Sequence, residues 1–349
     1  MKKLIQKLYK ENYLEENEIV DLLNNIDEED IKDLISKALE TKERVYGKKV
    51  FMRGLIEFTN YCKNNCIYCG IRALNRNVDR YRLTLEEILE AAEEGYRLGY
   101  RTYVLQGGED DYFTDDRIVE IIKSIKTKFP MCAITLSIGE KSYESYKRFY
   151  DAGAERYLLR HETASKDLYN KLHPNMSFEN RKNCLYDLKE IGYQIGAGFM
   201  VGLPGQRNED YAKDLSFIKR LKPHMVGIGP FIPQKDTPLG KESKGTVETT
   251  ILMLALIRLL LPEVLLPATT ALGTIDPLGR EKGLKAGANV VMPNLSPRSV
   301  REKYALYDNK ICTGDEAAHC RGCIERRINS AGFEVDMGRG DNITWNRTK

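Results

Sequence analysis

The sequence predicts an α/β protein built on a (β/α)8 TIM barrel, with a helical cap before the barrel and an extension after it. Apolar, strand-like runs alternate with amphipathic helical patterns over most of the chain. A glycine separates a helix from the following strand four times, at Gly99, Gly153, Gly192 and Gly287. Glycine supplies the left-handed cap that lets the chain turn back into a strand. Eight candidate strands lie between residues 51 and 294, close to the roughly 250 residues typical of such a barrel.

Three parts follow from this pattern. Residues 1–50 contain short amphipathic helical patterns and no catalytic motif, which predicts a helical cap on the lower end of the barrel. The barrel is predicted for residues 51–294, and its first helix opens with a capping box in which Thr84 pairs with Glu87. Residues 295–349 form a C-terminal extension, whose end, rich in Gly, Asn and Arg, predicts a loosely ordered tail.

Polar side chains follow several of the predicted strands, at the point where each strand ends. The strands themselves are nearly continuous apolar runs, as expected for strands buried on both faces. In a barrel the carboxyl ends of the strands gather on one face, where the active site lies. The sequence therefore predicts a site built from Glu57, Gln106 to Glu109, Ser137, Arg160, Glu162, Thr269, Thr270 and Asn294.

Three cysteines follow the first predicted strand, in the run Y-C-K-N-N-C-I-Y-C-G. Cys62, Cys66 and Cys69 are spaced so that a loop, rather than a helix or strand, can turn all three toward one point. Thiolates bind iron–sulfur clusters, zinc and cuprous ion. Three ligands are one fewer than a closed zinc site or a four-iron cluster uses, so the set predicts a metal position left open. A zinc knuckle would need a fourth ligand nearby, and all four histidines are distant in sequence.

Composition indicates a globular protein of the cytoplasm. The net charge of +3 from 54 basic and 51 acidic residues gives no reason to expect a nucleic-acid or membrane partner. The N-terminal residues lack the apolar run of a signal peptide. The longest apolar stretch, residues 251–261, contains Arg258 and is too short to cross a bilayer. Eight cysteines in such a chain indicate metal binding rather than disulfides.

The C-x3-C-x2-C spacing, with the aromatic Tyr68 before the last cysteine, resembles the cluster loop of the radical S-adenosylmethionine (SAM) superfamily. Further motifs along nearly the whole chain resemble the HydE family of [FeFe]-hydrogenase maturases, which is related to biotin synthase and methylornithine synthase. These motifs are L-Q-G-G-E-D, R-Y-L-L-R-H-E-T-A, S-F-E-N-R, G-A-G-F-M-V-G-L-P-G-Q, G-I-G-P-F-I-P, D-T-P-L, P-A-T-T-A-L-G-T and G-A-N-V-V-M-P-N.

The resemblance implies a set of roles for residues of this sequence. Cys62, Cys66 and Cys69 would hold a [4Fe–4S] cluster whose open iron chelates SAM. The implied SAM contacts are Tyr68, Gly107, Gly108, Glu109, Ser137, Glu162, Arg181, Met200, Met292 and Tyr304. The implied substrate cavity is lined by Arg53, Gln106, Thr135, Arg160, Met225, Thr269, Thr270 and Tyr307. Because consecutive residues of a strand face opposite sides, one of the two threonines is expected to point inward more directly.

Simpler interpretations of the same residues stay open at this point. The segment Gly107 to Glu109 is compatible with an ordinary turn between strand and helix. Arg160 and Glu162, two apart on one strand, are compatible with a salt bridge inside the barrel. Arg181 is compatible with a solvated helix charge, and the methionines with core packing.

The resemblance also implies a reaction. One electron from the cluster would cleave SAM to methionine and a 5′-deoxyadenosyl radical. The substrate would be a cysteine-bound Fe(CO)2(CN) fragment delivered by the partner maturase HydG, and the product would pass toward the scaffold maturase HydF. Two alternatives remain: a mutase similar to methylornithine synthase, and a non-catalytic iron–sulfur carrier.

A second group of cysteines, Cys312, Cys320 and Cys323, lies in the extension. The resemblance implies a peripheral iron–sulfur cluster there, [2Fe–2S] or [4Fe–4S], far from the active-site face. A zinc site with His319 as fourth ligand is the alternative.

Overall fold

The computed structural model describes residues 1–346. Within them the helices are α1 (Lys2–Glu11), α2 (Glu16–Asn25), α3 (Glu28–Tyr46), α4 (Leu85–Arg97), α5 (Asp115–Lys128), α6 (Tyr143–Ala152), α7 (Lys166–Leu172), α8 (Phe178–Ile191), α9 (Asn208–Leu221), α10 (Val247–Leu260), α11 (Thr270–Ile275), α12 (Gly279–Lys285), α13 (Arg298–Arg301) and α14 (Ala317–Ser330). The strands are β1 (Lys49–Met52), β2 (Gly54–Thr59), β3 (Thr102–Gly107), β4 (Ala133–Ser137), β5 (Arg156–Leu158), β6 (Gln194–Ala197), β7 (Met200–Val201), β8 (Met225–Val226), β9 (Gly229–Pro230), β10 (Val290–Val291) and β11 (Glu334–Asp336).

The strands close into a parallel barrel, which confirms the predicted fold class. A six-stranded sheet runs in the order β2-β3-β4-β5-β6-β8. Parallel bridges then continue from Met225 to Leu265 and from Pro267 to Val290. The chain around β10 pairs with β1, and Asn294 bridges back to Leu55 in β2. The strand predicted from the run L-L-P-A-T-T-A-L, residues 265–272, is therefore present only as the bridges of Leu265 and Pro267.

Local sequence signals set the turns of the barrel. Thr84 accepts a hydrogen bond from the Glu87 N–H (3.2 Å), and the Glu87 carboxylate accepts one from the Thr84 N–H (2.8 Å). This is the predicted capping box at the start of α4. At the ends of α6 and α8, Gly153 and Gly192 have φ of 118° and 105°, a region that favours glycine.

The N-terminal helices lie against the outside of the barrel. α3 packs along α10, and α2 packs against α9. α10 is apolar on nearly all sides, and α3 covers the side that would otherwise face water. Arg258 in α10 is fully buried, and its guanidinium donates to the carbonyls of Gly287 (2.8 Å) and Val264 (2.7 Å).

The C-terminal tail corrects the expectation of a loosely ordered end. β11 extends a parallel sheet by pairing with β1. Beyond it, Asp341 accepts from Arg156 (2.7 Å) and from Gln194 (2.6 Å), both at the starts of barrel strands. Asn342 is buried and donates to the carbonyl of His224 (3.0 Å). The tail thus covers the end of the barrel opposite the predicted site, because its polar groups satisfy the starts of the strands.

Candidate functional site

The cysteine loop follows the carboxyl end of β2, and hydrogen bonds from its backbone N–H groups hold it in place. Its N–H groups donate to three other segments: Lys63 to Glu109 (2.9 Å), Ile67 to Leu172 (3.0 Å) and Gly70 to Leu306 (2.9 Å). These segments follow β3, end α7 and belong to the C-terminal extension, respectively. The loop is therefore fixed by the whole upper face of the barrel rather than by its sequence neighbours alone.

Arg80 gathers the carbonyl groups at the end of this loop. Its guanidinium donates to the carbonyls of Ile71 (2.8 Å), Arg72 (2.7 Å) and Asn75 (3.1 Å). Sequence reasoning missed Arg80, because a lone arginine in a polar loop carries no motif. Arg80 is half-buried, and its hydrogen bonds to these carbonyls help to fix the conformation of the cysteine loop.

The turn that follows β3 packs directly on the cysteine loop. A Cβ on Gly108 would lie 2.2 Å from the Tyr61 carbonyl oxygen and 2.7 Å from the Cys62 Cβ. Only glycine allows this approach. Glu109, which follows, is 7% exposed, and its carboxylate accepts a hydrogen bond from the Glu140 N–H (3.0 Å). The turn is therefore more than a connection between strand and helix, since it forms one wall of a cavity.

A cavity of about 310 Å³, here called the first chamber, opens beside the cysteines. It brings together most of the residues for which the sequence implied contacts with SAM. Its lining includes Cys62, Cys66, Tyr68, Cys69, Gly107, Gly108, Glu109, Ser137, Glu162, Arg181, Met200 and Tyr304.

Arg160 and Glu162 form an ion pair on the wall of the first chamber, with Nη2 and Oε2 3.1 Å apart. Glu162 has φ of 65°, a left-handed conformation that costs a non-glycine residue free energy. The same Nη2 and Oε2 atoms, and the Arg160 Nε, are buried without a geometrically sound hydrogen bond within residues 1–346. The Glu162 carboxylate, carried on a strained backbone, and the Arg160 guanidinium, with an unused Nε donor, are thus available to a bound ligand.

Arg181 is buried, contrary to the interpretation as a solvated helix charge. It is 8% exposed, and its Nε lies 2.8 Å from the Glu140 carboxylate. α8 carries Arg181 in its first turn, so the side chain reaches the first chamber from the outer helix layer.

His173 fixes the orientation of Tyr68. The Tyr68 hydroxyl lies 2.9 Å from His173 Nε2, and His173 Nδ1 lies 3.0 Å from the Tyr169 carbonyl. A carbonyl only accepts, so Nδ1 carries the proton and Nε2 accepts from the tyrosine. Burial, and the nearby charge of Arg181, lower the pKa of His173 to about 3, which keeps the ring neutral. Sequence reasoning missed this residue, since a single histidine at the end of α7 carries no pattern.

Burial raises the pKa of the Cys62 and Cys66 thiols and raises that of Cys69 to about 12. The free thiols are therefore protonated near neutral pH. A metal centre that binds here must displace those protons, because thiolates are the ligands.

A second cavity of about 200 Å³, the second chamber, adjoins the first. The two share seven lining residues: Gln106, Leu158, Arg160, Thr269, Ala271, Leu306 and Tyr307. The second chamber also contains charged groups that the sequence did not single out. Lys310 Nζ lies 2.6 Å from the Glu57 carboxylate, and Arg280 Nη2 donates to the Thr270 hydroxyl (3.2 Å).

Three residues predicted for the substrate cavity lie elsewhere. Arg53, Thr135 and Met225 line a void of about 10 Å³, nearer the end of the barrel that the tail covers. Arg53 donates to Met225 Sδ (3.1 Å) and to the Gly340 carbonyl (3.1 Å). Arg53 lies between β1 and β2, immediately before the start of β2, and is therefore far from the carboxyl end of that strand.

Two further expectations need correction. Thr269 and Thr270 both reach the second chamber, because they begin α11 instead of occupying a strand. Thr269 is the N-cap and accepts from the Leu272 N–H (3.4 Å). Met292, implied as a SAM contact, lines the second chamber and not the first.

The C-terminal cysteines also lie differently from the expectation. Cys312 and Cys320 line the second chamber, so this group is not remote from the site. Cys312 Sγ lies 3.7 Å from Arg280 Nη1. Cys320 is buried while its neighbour His319 is exposed, since adjacent residues of α14 face different directions.

Within residues 1–346, no three His, Cys, Asp or Glu side chains converge closely enough to hold a single metal ion. This holds for both cysteine groups. No helix in the described part of the chain is long and apolar enough to span a membrane.

Comparison with known proteins agrees with this geometry. Residues 56–218 match the model of the Radical SAM superfamily. The [FeFe] hydrogenase maturase subunit HydE of Thermotoga maritima is 50% identical over 299 residues, covering 86% of this chain and 85% of that protein. The 3-methylornithine synthase of Methanosarcina acetivorans is 32% identical, covering 94% and 92%. The crystal structure of methylornithine synthase (PylB) superimposes with a TM-score of 0.85 at 30% identity, covering 95% of this chain and 97% of that one.

Two observations define the class of this protein. The barrel carries a three-cysteine loop at the carboxyl ends of its strands, and the sequence match covers that part of the chain. The chain is a radical SAM enzyme. Within that superfamily it belongs to the HydE family.

Proposed function

We propose that this enzyme acts in the maturation of [FeFe]-hydrogenase, on a small metal-bound ligand held in the second chamber. The observation that carries the proposal is the continuity of the two chambers through Arg160, Thr269 and Tyr307. These shared side chains would separate a cofactor beside the cysteines from the second chamber, whose mainly apolar lining carries a few charged groups. The 50% identity to a HydE maturase supports the same function.

The residues present fit a [4Fe–4S] cluster and SAM. Cys62, Cys66 and Cys69 would hold the cluster, which together with SAM supplies a 5′-deoxyadenosyl radical when bound. Gly108 leaves the space that a Cβ would fill, and Arg160 Nε is a buried donor without a hydrogen-bond partner within residues 1–346. The chain's part is to orient the cofactor and to exclude water from the radical.

The substrate we favour is a cysteine-bound Fe(CO)2(CN) fragment, supplied by HydG and passed after conversion toward HydF. Cyanide and carboxylate groups accept hydrogen bonds from guanidinium, ammonium and hydroxyl donors. The second chamber offers these from Arg160, Arg280, Lys310 and Thr270. A ligand with acceptor groups could add to the pairs that these donors already form inside the protein.

The test is in vitro activation of an apo-hydrogenase by the HydG and HydF maturases, with and without this protein under strictly anaerobic conditions. We expect activation only when this protein and SAM are both present. Activation that is equally complete without it would contradict the proposal.

A methylornithine synthase activity is the second candidate, favoured by 32% identity across nearly the whole length of such an enzyme. Its test is incubation of the reconstituted protein with lysine and SAM. Formation of methylornithine together with failure to support hydrogenase activation would replace the first proposal with this one.

A further inference from the structure

A buried histidine separates the two charged residues on the wall of the first chamber. His161 lies between Arg160 and Glu162, is 1% exposed and is not among the residues that line that chamber. Its ring packs against the Phe217 ring of α9, with the two centroids 4.8 Å apart. His161 therefore faces the helices outside the barrel, while its two neighbours in the chain face the chamber.

Both ring nitrogens of His161 have a partner. Nδ1 accepts a hydrogen bond from the Gly198 N–H (3.3 Å), and Nε2 lies 3.2 Å from the Asp214 oxygen Oδ1. Burial lowers the pKa of His161 to about 3, which keeps the ring neutral. A backbone N–H only donates, so Nδ1 carries no proton, and Nε2 donates its proton to Asp214. The ring thus joins the segment after β6 to helix α9.

Asp214 holds the chain on both sides of Glu162. It is fully buried in α9, and its Oδ1 accepts from the Ala164 N–H as well as from the His161 ring. Burial raises the pKa of this carboxyl well above its usual range, so the pair is uncharged. One oxygen atom therefore holds the residue before Glu162 and the second residue after it.

The residue between these two attachments has a strained backbone. Glu162 has φ of 65°, its N–H donates to the Gly198 carbonyl (3.0 Å), and its carbonyl accepts from the Met200 N–H (3.1 Å). A conformation of this kind persists only where the surrounding structure over-determines it. The His161–Asp214 pair adds side-chain hydrogen bonds to the backbone bonds that hold Glu162.

Gly198, the other partner of the His161 ring, lies where two barrel strands pack closely. A Cβ on Gly198 would lie 1.9 Å from the Gly227 carbonyl oxygen. The Gly227 N–H donates to the Ala197 carbonyl (2.8 Å), which joins the ends of β6 and β8. The His161 ring is therefore anchored to the barrel wall on one side and to α9 on the other.

We propose that His161 and Asp214 are positioning residues for SAM, which hold the Glu162 carboxylate at the wall of the first chamber without touching the ligand. The inference rests on the proposed function, because it takes SAM to be the molecule bound in that chamber. Without the pair, the strained backbone of Glu162 is free to relax to other conformations. Affinity for SAM then falls by the fraction of molecules that keep the binding conformation.

The experiment measures SAM binding to the reconstituted full-length enzyme by calorimetry. His161→Phe keeps an aromatic ring and removes both hydrogen bonds. We expect about tenfold weaker SAM binding and a KM for SAM raised by a similar factor, because fewer molecules are ready to bind. Under dithionite, kcat at saturating SAM should stay within about twofold of the wild type, since only ground-state binding is lost.

Asp214 offers a conservative variant that should restore binding. Asp214→Asn keeps an oxygen that accepts from His161 and Ala164, so SAM binding should stay within about twofold of the wild type. Asp214→Leu removes that acceptor and should weaken SAM binding as His161→Phe does. If His161→Phe does not fold, the comparison of these two variants decides, and equal SAM affinities for them would overturn the proposal.

The matched control is His224→Phe, at the opposite end of the barrel. His224 Nδ1 also accepts a backbone N–H, that of Ile195 at the start of β6 (3.1 Å). The same substitution therefore removes the same kind of hydrogen bond far from the first chamber. This variant should bind SAM like the wild type, and a loss equal to that of His161→Phe would overturn the proposal.

Two further measurements distinguish positioning from a general loss of stability. In a Glu162→Ala background, His161→Phe should change SAM binding by less than about twofold, because the residue through which it acts is already absent. An undiminished loss in that background would overturn the proposal. A crystal structure of the metal-free His161→Phe protein should show Glu162 outside the left-handed region, and an unchanged Glu162 would contradict the proposal.

The outcomes also separate this inference from the proposed function. If the wild type binds SAM and His161→Phe binds it equally tightly, the positioning role is overturned and the SAM site stands. If the wild-type enzyme itself binds no SAM, the proposed cofactor site is overturned, and the positioning role with it.

Discussion

The two groups of three cysteines lie in different structural environments. Cys62, Cys66 and Cys69 lie on a loop whose backbone is bound by three other segments and by the close approach of Gly108. Cys320 and Cys323 lie one turn apart on α14, and Cys312 reaches the second chamber from a separate loop, beside Arg280. The number of cysteines is therefore the same in the two groups, but their surroundings differ. The loop of the first group is hydrogen-bonded to several distant segments of the barrel, and the second group is divided between a helix and a loop.

From this difference we propose that the first group binds the cofactor and that Cys312 and Cys320 line the cavity that would hold the substrate. The sequence suggested two cluster sites, one catalytic and one peripheral. The structure places Cys312 and Cys320 in the lining of the second chamber, with Cys312 Sγ 3.7 Å from Arg280 Nη1. The predictions below test this assignment, beginning with the largest expected effect.

The first-group cysteines should be indispensable. Replacing Cys62, Cys66 and Cys69 together with Ala should reduce 5′-deoxyadenosine formation under dithionite to the background rate, because no ligands for the cluster remain. The matched control is Cys184→Ala, a buried thiol outside both chambers, which should keep its iron and its turnover. Persistent cleavage by the triple variant would remove the distinction between the two groups.

Arg160 lines both chambers, so its substitution should affect hydrogenase activation and SAM cleavage to different extents. Arg160→Ala should reduce hydrogenase activation about a hundredfold, since a hydrogen bond to a charged group contributes up to about 3 kcal/mol. SAM cleavage should change far less, through the loss of the 3.1 Å pair with Glu162. Arg160→Lys keeps the charge without the planar fork and should recover part of the activation. Equal losses in both assays would show that Arg160 serves the cofactor alone.

In the second cysteine group, we expect substitution to affect activation only at a cysteine that lines a chamber. Cys312→Ala should lower hydrogenase activation about tenfold, the effect of losing about 1.5 kcal/mol from a charge-assisted contact. Cys323→Ala is the matched control, because Cys323 lines neither chamber. Both variants should cleave SAM at the wild-type rate. If Cys323→Ala is as damaging as Cys312→Ala, the three cysteines act together as a cluster site.

The smallest effect is expected at His173, which supports the first group from a distance. His173→Gln should weaken SAM binding about fivefold, the equivalent of a hydrogen bond of about 1 kcal/mol. Tyr68→Phe should have a similar effect, and the double variant should be no worse than either single one, because both remove the same 2.9 Å contact. Additive losses would show that the two side chains act independently.

Much of this could be predicted from the sequence. Alternating patterns and recurrent glycines predicted the barrel, since periodicity and turn chemistry are local properties. The cysteine spacing and Tyr68 predicted the loop for the same reason. The prediction that Gly107 to Glu109 lie beside that loop followed from the rule that carboxyl ends of parallel strands meet on one face.

Other features were decided only by the tertiary structure. Arg80, His173, Arg280 and Lys310 carry no motif, and their importance comes from what folding places around them. Arg53 was assigned to the wrong cavity, because residue type does not reveal how far along a strand a side chain lies. The tail is ordered because Asp341 accepts hydrogen bonds from side chains at the starts of strands 185 and 147 residues earlier in the chain. Local sequence thus determined the elements and the cysteine loop, whereas contacts between distant segments decided which side chains share a chamber.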